Sequence, residues 1–155
     1  IHQTGYREQS LLHRDAFQWN AKWRLSPIWN ISTLVLWTGL YYQTPGGLTR
    51  SQFQANPRMA RPPAGTLAGA IQQQSSIRNN TLFTGIGFER KKNNSASQIF
   101  IQHSTIDFTN PFITNYEKRK EENWGVRVVQ KWDTKLRNDR LVWNIGGEFQ
   151  SNKSS

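Results

Sequence analysis

The arginines of one long stretch are the residues of this chain whose type and spacing best suit chemistry. No Asp or Glu occurs from Ala16 to Phe88, and the acid-free stretch includes Arg50, Arg58 and Arg61 at short intervals. A guanidinium presents a planar fork of donors that grips a carboxylate through two parallel hydrogen bonds. We therefore predict that Arg50, Arg58 and Arg61 bind an anionic ligand. The alternative is that they pair with lipopolysaccharide phosphates or with acidic loops elsewhere in the intact protein.

The histidines, by contrast, give no indication of an enzyme. His2, His13 and His103 stand at no recognisable catalytic spacing from Ser or Asp, and the proximity of His13 to Asp15 is common by chance. The sequence contains no GxSxG, HExxH or phosphate-binding loop motif. It also contains no Cys, which excludes a thiolate metal site and a cysteine nucleophile. We predict no catalytic residue, no metal site and no cofactor.

The composition is unusual for a soluble domain of 155 residues. Only 35% of the residues are hydrophobic, whereas 12% are aromatic and seven are Trp. No apolar run approaches the length of about 18 residues that a transmembrane helix needs. The formal net charge of +10 would suit a nucleic-acid-binding protein, so this class has to be weighed against others.

The clearest periodicity of the sequence is an alternation of apolar and polar residues with a period of two. In the segment AFQWNAKWRL (16–25), every second residue is apolar and those between them are polar or basic. Residues 124–133 and 141–150 show the same pattern. Strict alternation is typical of a β-strand with one apolar face. With weaker segments added, six strands are predicted near residues 14–25, 30–43, 79–91, 97–106, 123–135 and 140–150.

The predicted connections alternate between short and long. They comprise Ser26–Trp29, a long loop over 44–78, Lys92–Ala96, a medium loop over Asp107–Glu122 and a turn at Leu136–Asp139 that contains Asn138. The charged run EKRKEE (117–122) is interpreted as a solvated loop tip. Long loops at one end and short turns at the other are typical of outer-membrane barrels. The predicted strands reach the 9–11 residues that cross a bilayer at a tilt. The fold class is therefore all-β, an antiparallel up-and-down transmembrane β-barrel segment of about six strands, an incomplete barrel.

Several aromatic residues lie close to the ends of these predicted strands. Trp23 and Trp29 flank the first short turn, Tyr41 and Tyr42 close a strand at the long loop, and Trp124 opens another strand. Amphipathic rings settle in the headgroup layer of a membrane, where the N–H or O–H stays hydrated. We predict that these five residues are membrane-interface aromatics in contact with outer-membrane lipid.

The loop after the second strand resembles a known family. Residues 42–62, YQTPGGLTRSQFQANPRMARP, resemble a loop of TonB-dependent siderophore receptors, and most closely the subset related to ferric-citrate receptors. In that family a strand ends in a YQxPGGLT-like run, and an NPR-x-A segment follows. The preceding GYREQSLLHRDAFQWNAKWRLSPIWNIS also resembles a strand, turn and strand of these receptors. The resemblance covers residues 5–90 by motif and the rest by pattern.

The resemblance implies a receptor in the outer membrane of a Gram-negative bacterium. Such receptors bind a ferric siderophore or a citrate-type chelate outside and import it with energy from TonB; the chelator, and not the protein, holds the iron. Their plug domain sits in a barrel of about 22 strands, so residues 1–155 are expected to be a partial barrel with the plug absent. Pro45, Gly46 and Gly47 are expected to form a structural turn, since Gly tolerates positive φ.

Two alternatives remain open. A small self-contained outer-membrane barrel needs about eight strands, more than the pattern supplies. A basic nucleic-acid-binding β-domain would use exposed aromatics and cations on one face, whereas Lys22 and Arg24 fall on the face opposite Trp23. An incomplete barrel would also leave unpaired strand edges that promote aggregation. We therefore expect that this segment does not assemble or transport by itself.

Overall fold

In the computed structural model, most of the chain is antiparallel β-sheet. The structure describes residues 1–112, 115–136 and 139–155. Seven strands form one open sheet in the order of the sequence, each antiparallel to the next. Their bounds are β1 (His2–Gln3), β2 (Leu12–Arg24), β3 (Trp29–Gln43), β4 (Ser76–Lys92), β5 (Ser95–Phe112), β6 (Asn115–Leu136) and β7 (Asp139–Ser154). The predicted all-β, up-and-down architecture is confirmed.

The six predicted strands all occur, and most of them are longer than the alternation indicated. Hydrogen bonding between neighbours continues past the residues whose side chains alternate, because the ladder is formed by main-chain N–H and C=O groups and not by side chains. The sequence did not predict the two-residue strand β1 or the six-residue helix α1 (Arg50–Ala55), which lies between β3 and β4. No helix in the described part of the chain is both long enough and apolar enough to cross a membrane.

The predicted medium loop over residues 107–122 is wrong. Strand β5 continues to Phe112 and β6 begins at Asn115, so the charged run that was interpreted as a loop tip is part of a strand. Within this run, the Arg119 guanidinium lies 2.8 Å from a carboxylate oxygen of Glu117 and 2.7 Å from one of Glu121. Alternate residues share a face in a strand. The opposite charges of Glu117, Arg119 and Glu121 therefore lie next to one another on the same face of β6. Their ion pairs make this charged segment compatible with an extended backbone.

The connections fall at two ends of the sheet. Residues 25–28 and 93–94 form tight turns at one end, which we call the turn end. The prediction of a turn at residues 136–139 involves residues 137 and 138, which lie outside the described part. The long connection joins β3 to β4 at the opposite end, the loop end. It covers residues 44–75 instead of 44–78, because Arg78 already pairs with Tyr41 in the ladder.

All seven tryptophans lie on one face of the sheet. Directly paired residues in neighbouring strands point to the same side, and residues two apart in one strand do likewise. The register thus defines a tryptophan face that carries Trp19, Trp23, Trp29, Trp37, Trp124, Trp132 and Trp143. The opposite surface, the polar face, carries residues such as Lys22, Glu89 and Arg127. The alternation predicted for β2, β6 and β7 is confirmed.

The tryptophan face contains a band of mainly apolar side chains, which narrows to Ile99 and Ile101 in β5. In β3 the band extends from Trp29 to Trp37, and in β6 it extends from Trp124 to Trp132. Each segment contains nine residues and has a Trp at both ends. These side chains are not covered by other parts of the described chain: Val128, for example, is 46% exposed. The sheet therefore presents an apolar surface that needs an apolar environment outside this chain.

Candidate ligand-binding loop

The base of the long loop contains several buried residues. The backbone N–H of Thr44 donates to the Ser75 carbonyl over 2.8 Å and closes the loop where the strands separate. Ala60, Ala70 and Ser75 are 4%, 1% and 2% exposed, respectively. These small residues allow two passes of the loop backbone to pack closely. The long loop is thus a folded unit at the loop end of the sheet.

Residues of the N-terminal segment hold this unit in place. The Arg7 guanidinium donates to the Gly46 carbonyl over 2.9 Å, and to the Met59 carbonyl over 2.8 and 3.1 Å. A carboxylate oxygen of Glu8 accepts from the Ala60 backbone N–H over 3.2 Å. Sequence reasoning missed Arg7 and Glu8, because they precede the first alternating segment and their partners lie some 40 to 50 residues away.

The Pro-Gly-Gly motif lies where β3 gives way to the loop. The Pro45 carbonyl accepts from the Arg61 backbone N–H over 2.7 Å. Gly46 has a φ of +72°, and a Cβ built on it would lie 2.8 Å from the Arg61 Cβ. Gly47 has open space around the corresponding position. The requirement for glycine is therefore strong at residue 46 and weak at residue 47.

A Gly46→Ala substitution is expected to loosen the loop. The left-handed backbone costs about 1–2 kcal/mol for an L-residue, and the contact with Arg61 adds to that. We expect faster hydrogen exchange at the Arg61 amide, which bonds to the adjacent Pro45. Gly47→Ala is the matched control and should leave exchange unchanged. Equal exchange in the two variants would show that Gly46 is not the constrained position.

Arg61 is directed into the loop itself. One terminal nitrogen donates to the Ala68 carbonyl over 2.9 Å, and the Arg61 carbonyl accepts from the Ala70 backbone N–H over 2.9 Å. Its other terminal nitrogen, Nη1, is buried and has no hydrogen-bond partner among the described residues. Arg61 therefore cross-links two passes of the loop.

Arg50 and Arg58, in contrast, are exposed and lie near Tyr6. Arg50 is the first residue of α1, which begins with a capping box: the Gln52 N–H donates to the Thr49 hydroxyl, and the Thr49 N–H donates to the Gln52 side chain. The Arg58 guanidinium lies 5.2 Å from the centre of the Tyr6 ring. A shallow depression is lined by Tyr6, Arg7, Leu48, Thr49, Arg50, Phe53 and Pro57.

Two of the three arginines predicted to bind a ligand are thus exposed at the surface of the loop. Arg50 and Arg58 both border the region around Tyr6. The charged groups of the loop itself are all cationic, since residues 44–75 contain no acid. An anion that approaches this surface therefore meets two exposed guanidinium groups. Among the described residues, no group of three or more His, Cys, Asp or Glu is placed to hold a metal ion.

The five predicted interface aromatics do not all share a face. Trp23, Trp29, Tyr41 and Trp124 lie on the tryptophan face, whereas Tyr42 is paired with Leu12 on the polar face. The structure therefore does not bring Tyr42 together with the other four.

Trp124 also differs from its predicted place at the opening of a strand, because β6 begins at Asn115. It instead marks the edge of the apolar band. Its indole N–H donates to Glu122 over 3.2 Å, and its ring lies 4.2 Å from that of His103. The indole therefore has one apolar side and one polar partner, as at a boundary between two environments.

Comparisons with known proteins reveal a similar fold but no related sequence. No protein-family model matches the chain, and no curated protein is significantly similar to it in sequence. The fold matches part of a crystal structure of the ferric citrate transporter FecA in its unliganded form, with a TM-score of 0.72 and 13% sequence identity. The match covers 96% of this chain and 22% of the transporter chain. At this identity the similarity concerns the fold alone.

Proposed function

We propose that this chain forms part of the wall of an outer-membrane receptor that binds and imports a ferric chelate of the siderophore or citrate type. The observation that carries the proposal is the band on the tryptophan face, nine residues wide in β3 and β6 with Trp at both ends. A tilted strand crosses a bilayer with about 9–11 residues. Trp side chains concentrate at both membrane interfaces. Lipid is the apolar environment that best fits such a surface.

The two faces and the two ends follow from this placement. The tryptophan face contacts lipid, and the polar face lines a hydrated interior. The long loop lies outside the cell, and the short turns lie in the periplasm of a Gram-negative bacterium, since outer-membrane barrels carry long loops outside. Residues 1–155 form a part of the barrel, and a plug domain and the contact with TonB are supplied by other regions of the intact receptor.

Two observations support a ferric chelate of the citrate type as the ligand. The fold is similar to part of a ferric citrate transporter, and the loop sequence resembles that of ferric-citrate-type receptors. The exposed guanidinium groups of Arg50 and Arg58 are suited to carboxylates of such a chelate. Arg61, predicted with them, contributes mainly by holding the loop together. The protein then needs no metal ligand or catalytic group, because the chelator binds the iron and no covalent bond changes.

The binding mode predicts a large effect of removing both exposed arginines. A hydrogen bond to a charged group contributes about 1.5–3 kcal/mol, and 1.4 kcal/mol corresponds to about a tenfold change in Kd. We expect an Arg50→Ala/Arg58→Ala variant of the intact receptor to bind ferric citrate at least about tenfold more weakly. Isothermal titration and uptake of radiolabelled iron would measure this.

The matched control is Arg24→Ala at the turn end of β2, which removes a guanidinium far from the loop. It should bind the chelate normally. Unchanged binding and uptake by the double variant would contradict the role of these arginines in ligand binding. The proposal that the sheet lies in the outer membrane would not be affected. A nucleic-acid-binding role has less support in β2, where Lys22 and Arg24 lie on the face opposite the tryptophans.

A further inference from the structure

Two cations on the tryptophan face have no acidic partner among the described residues. Arg90 and Lys92 lie near the turn end of β4, and both are exposed. Arg90 is paired with Trp29 of β3, and its guanidinium lies 5.9 Å from the centre of the indole ring. Arg90 and Trp29 therefore lie at the edge of the apolar band that is nearer the turn end, because the band begins at Trp29 in β3.

The neighbouring charges are sorted between the two faces. Arg90 and Lys92 lie on the tryptophan face, whereas Lys91 between them points to the polar face. The Lys91 ammonium group lies 3.2 Å from a carboxylate oxygen of Glu89. Glu89 also lies 3.6 Å from Lys22. The acid of β6 near this end, Asp133, is likewise on the polar face. Acids at this end thus neutralise cations of the polar face and leave Arg90 and Lys92 uncompensated.

The tryptophan face at this end contributes further aromatic surface. The rings of Trp132 and Trp143 are stacked with centroids 4.3 Å apart. Asp139 at the start of β7 is the nearest acid on this face, and it lies three strands away from β4. Indole rings at the edge of an apolar band occupy the headgroup layer. Cations beside them face the phosphates of that layer.

The loop end of the same face has a different charge pattern. There Asp107 is paired with Lys120, and Glu122 is paired with Lys153. Acids therefore lie directly opposite two of the cations at this end, although Arg78 and Lys118 are paired with Thr109. At the turn end, by contrast, the described residues of β2 to β6 include no acid on this face. Under the proposed function this end lies in the periplasmic leaflet.

We propose that Arg90 and Lys92, with Trp29, bind the phosphate of an anionic phospholipid such as phosphatidylglycerol in the leaflet at the turn end. Arg supplies a fork of donors for the phosphate oxygens, and Lys supplies a second charge. The inference rests on the membrane placement in the proposed function and does not depend on the imported ligand.

The test is the affinity of the intact, purified receptor for phosphatidylglycerol, measured by native mass spectrometry, with phosphatidylcholine as the reference lipid. Each cation near a membrane surface contributes about a fivefold change in affinity. Arg90→Gln/Lys92→Gln should therefore weaken phosphatidylglycerol binding roughly 20- to 30-fold and leave phosphatidylcholine binding unchanged. Lys91→Gln loses a charge from the adjacent position on the polar face and should behave like the unaltered protein.

The inference is overturned if the double variant keeps the preference for phosphatidylglycerol, or if Lys91→Gln weakens it equally. It is also overturned if these residues bind lipopolysaccharide and not phosphatidylglycerol. Failure of the protein to insert into bilayers of either phospholipid would refute the proposed membrane function itself. Insertion into both without a preference would refute only the lipid site.

Discussion

Val128→Lys is expected to prevent assembly of the protein in a bilayer. Val128 lies on the tryptophan face, midway between Trp124 and Trp132, and is 46% exposed. If this face contacts lipid, the substitution places an ammonium group near the centre of the hydrocarbon layer. Lys at that depth destabilises a barrel by about 2–4 kcal/mol. The measurement is the fraction of the intact receptor that reaches the heat-modifiable, protease-resistant form in liposomes.

Val129→Lys is the matched control, because it changes the same residue type one position further along β6. Val129 points to the polar face, where it is paired with Gln98 of β5 and with Gly146 of β7. A lysine there enters a hydrated interior and should permit assembly. Equal assembly of both variants would show that the tryptophan face does not lie in lipid. Equal failure would show that β6 tolerates a lysine on neither face.

The second large effect is expected from Arg7→Ala, which should release the long loop. The Arg7 side chain makes three hydrogen bonds with the carbonyls of Gly46 and Met59. Each bond to a charged donor contributes about 1.5–3 kcal/mol, and all three are lost together. Opening of the loop should therefore become at least about tenfold more frequent. Limited digestion with chymotrypsin, which can cleave after Phe53 of α1, would report this as a faster rate.

Arg14→Ala provides the control for charge alone. Arg14 is an exposed arginine of β2, and its side chain makes no hydrogen bond or ion pair with the residues that the structure describes. Cleavage of this variant should proceed at the original rate. If Arg7→Ala and Arg14→Ala were cleaved at the same rate, the loop would be held by its own contacts, such as those of Arg61, and not by the N-terminal segment.

Much of the sheet could be predicted because local sequence specifies it. In β2, the alternation of Phe17, Trp19 and Trp23 with polar residues sets the strand, its period and the face that becomes apolar. The same holds for β6 and β7. Strand length was underestimated wherever side chains stopped alternating, most clearly in the charged run that extends β6. There the ladder with β5 decides the conformation, and a pattern of charges does not reveal it.

The long loop illustrates what single-sequence patterns do not contain. The three arginines were identifiable by type, yet nothing in their spacing separates the exposed Arg50 and Arg58 from Arg61, which bonds within the loop. The roles of Arg7 and Glu8 depend on contacts with residues some 40 to 50 positions away. Such contacts depend on the register of β2 against β3, which brings the two segments to the same end of the sheet.

The sequence by itself determined the strand order, the antiparallel hairpins and the apolar face of β2, β6 and β7, because these follow from alternation and connection length. Only the tertiary structure decided that all seven tryptophans share one face and that Tyr42 does not join them. It also decided which cations remain without an acidic partner. The physical reason is that register joins residues from different strands into one surface, and a shift of one residue would reverse the face of every side chain.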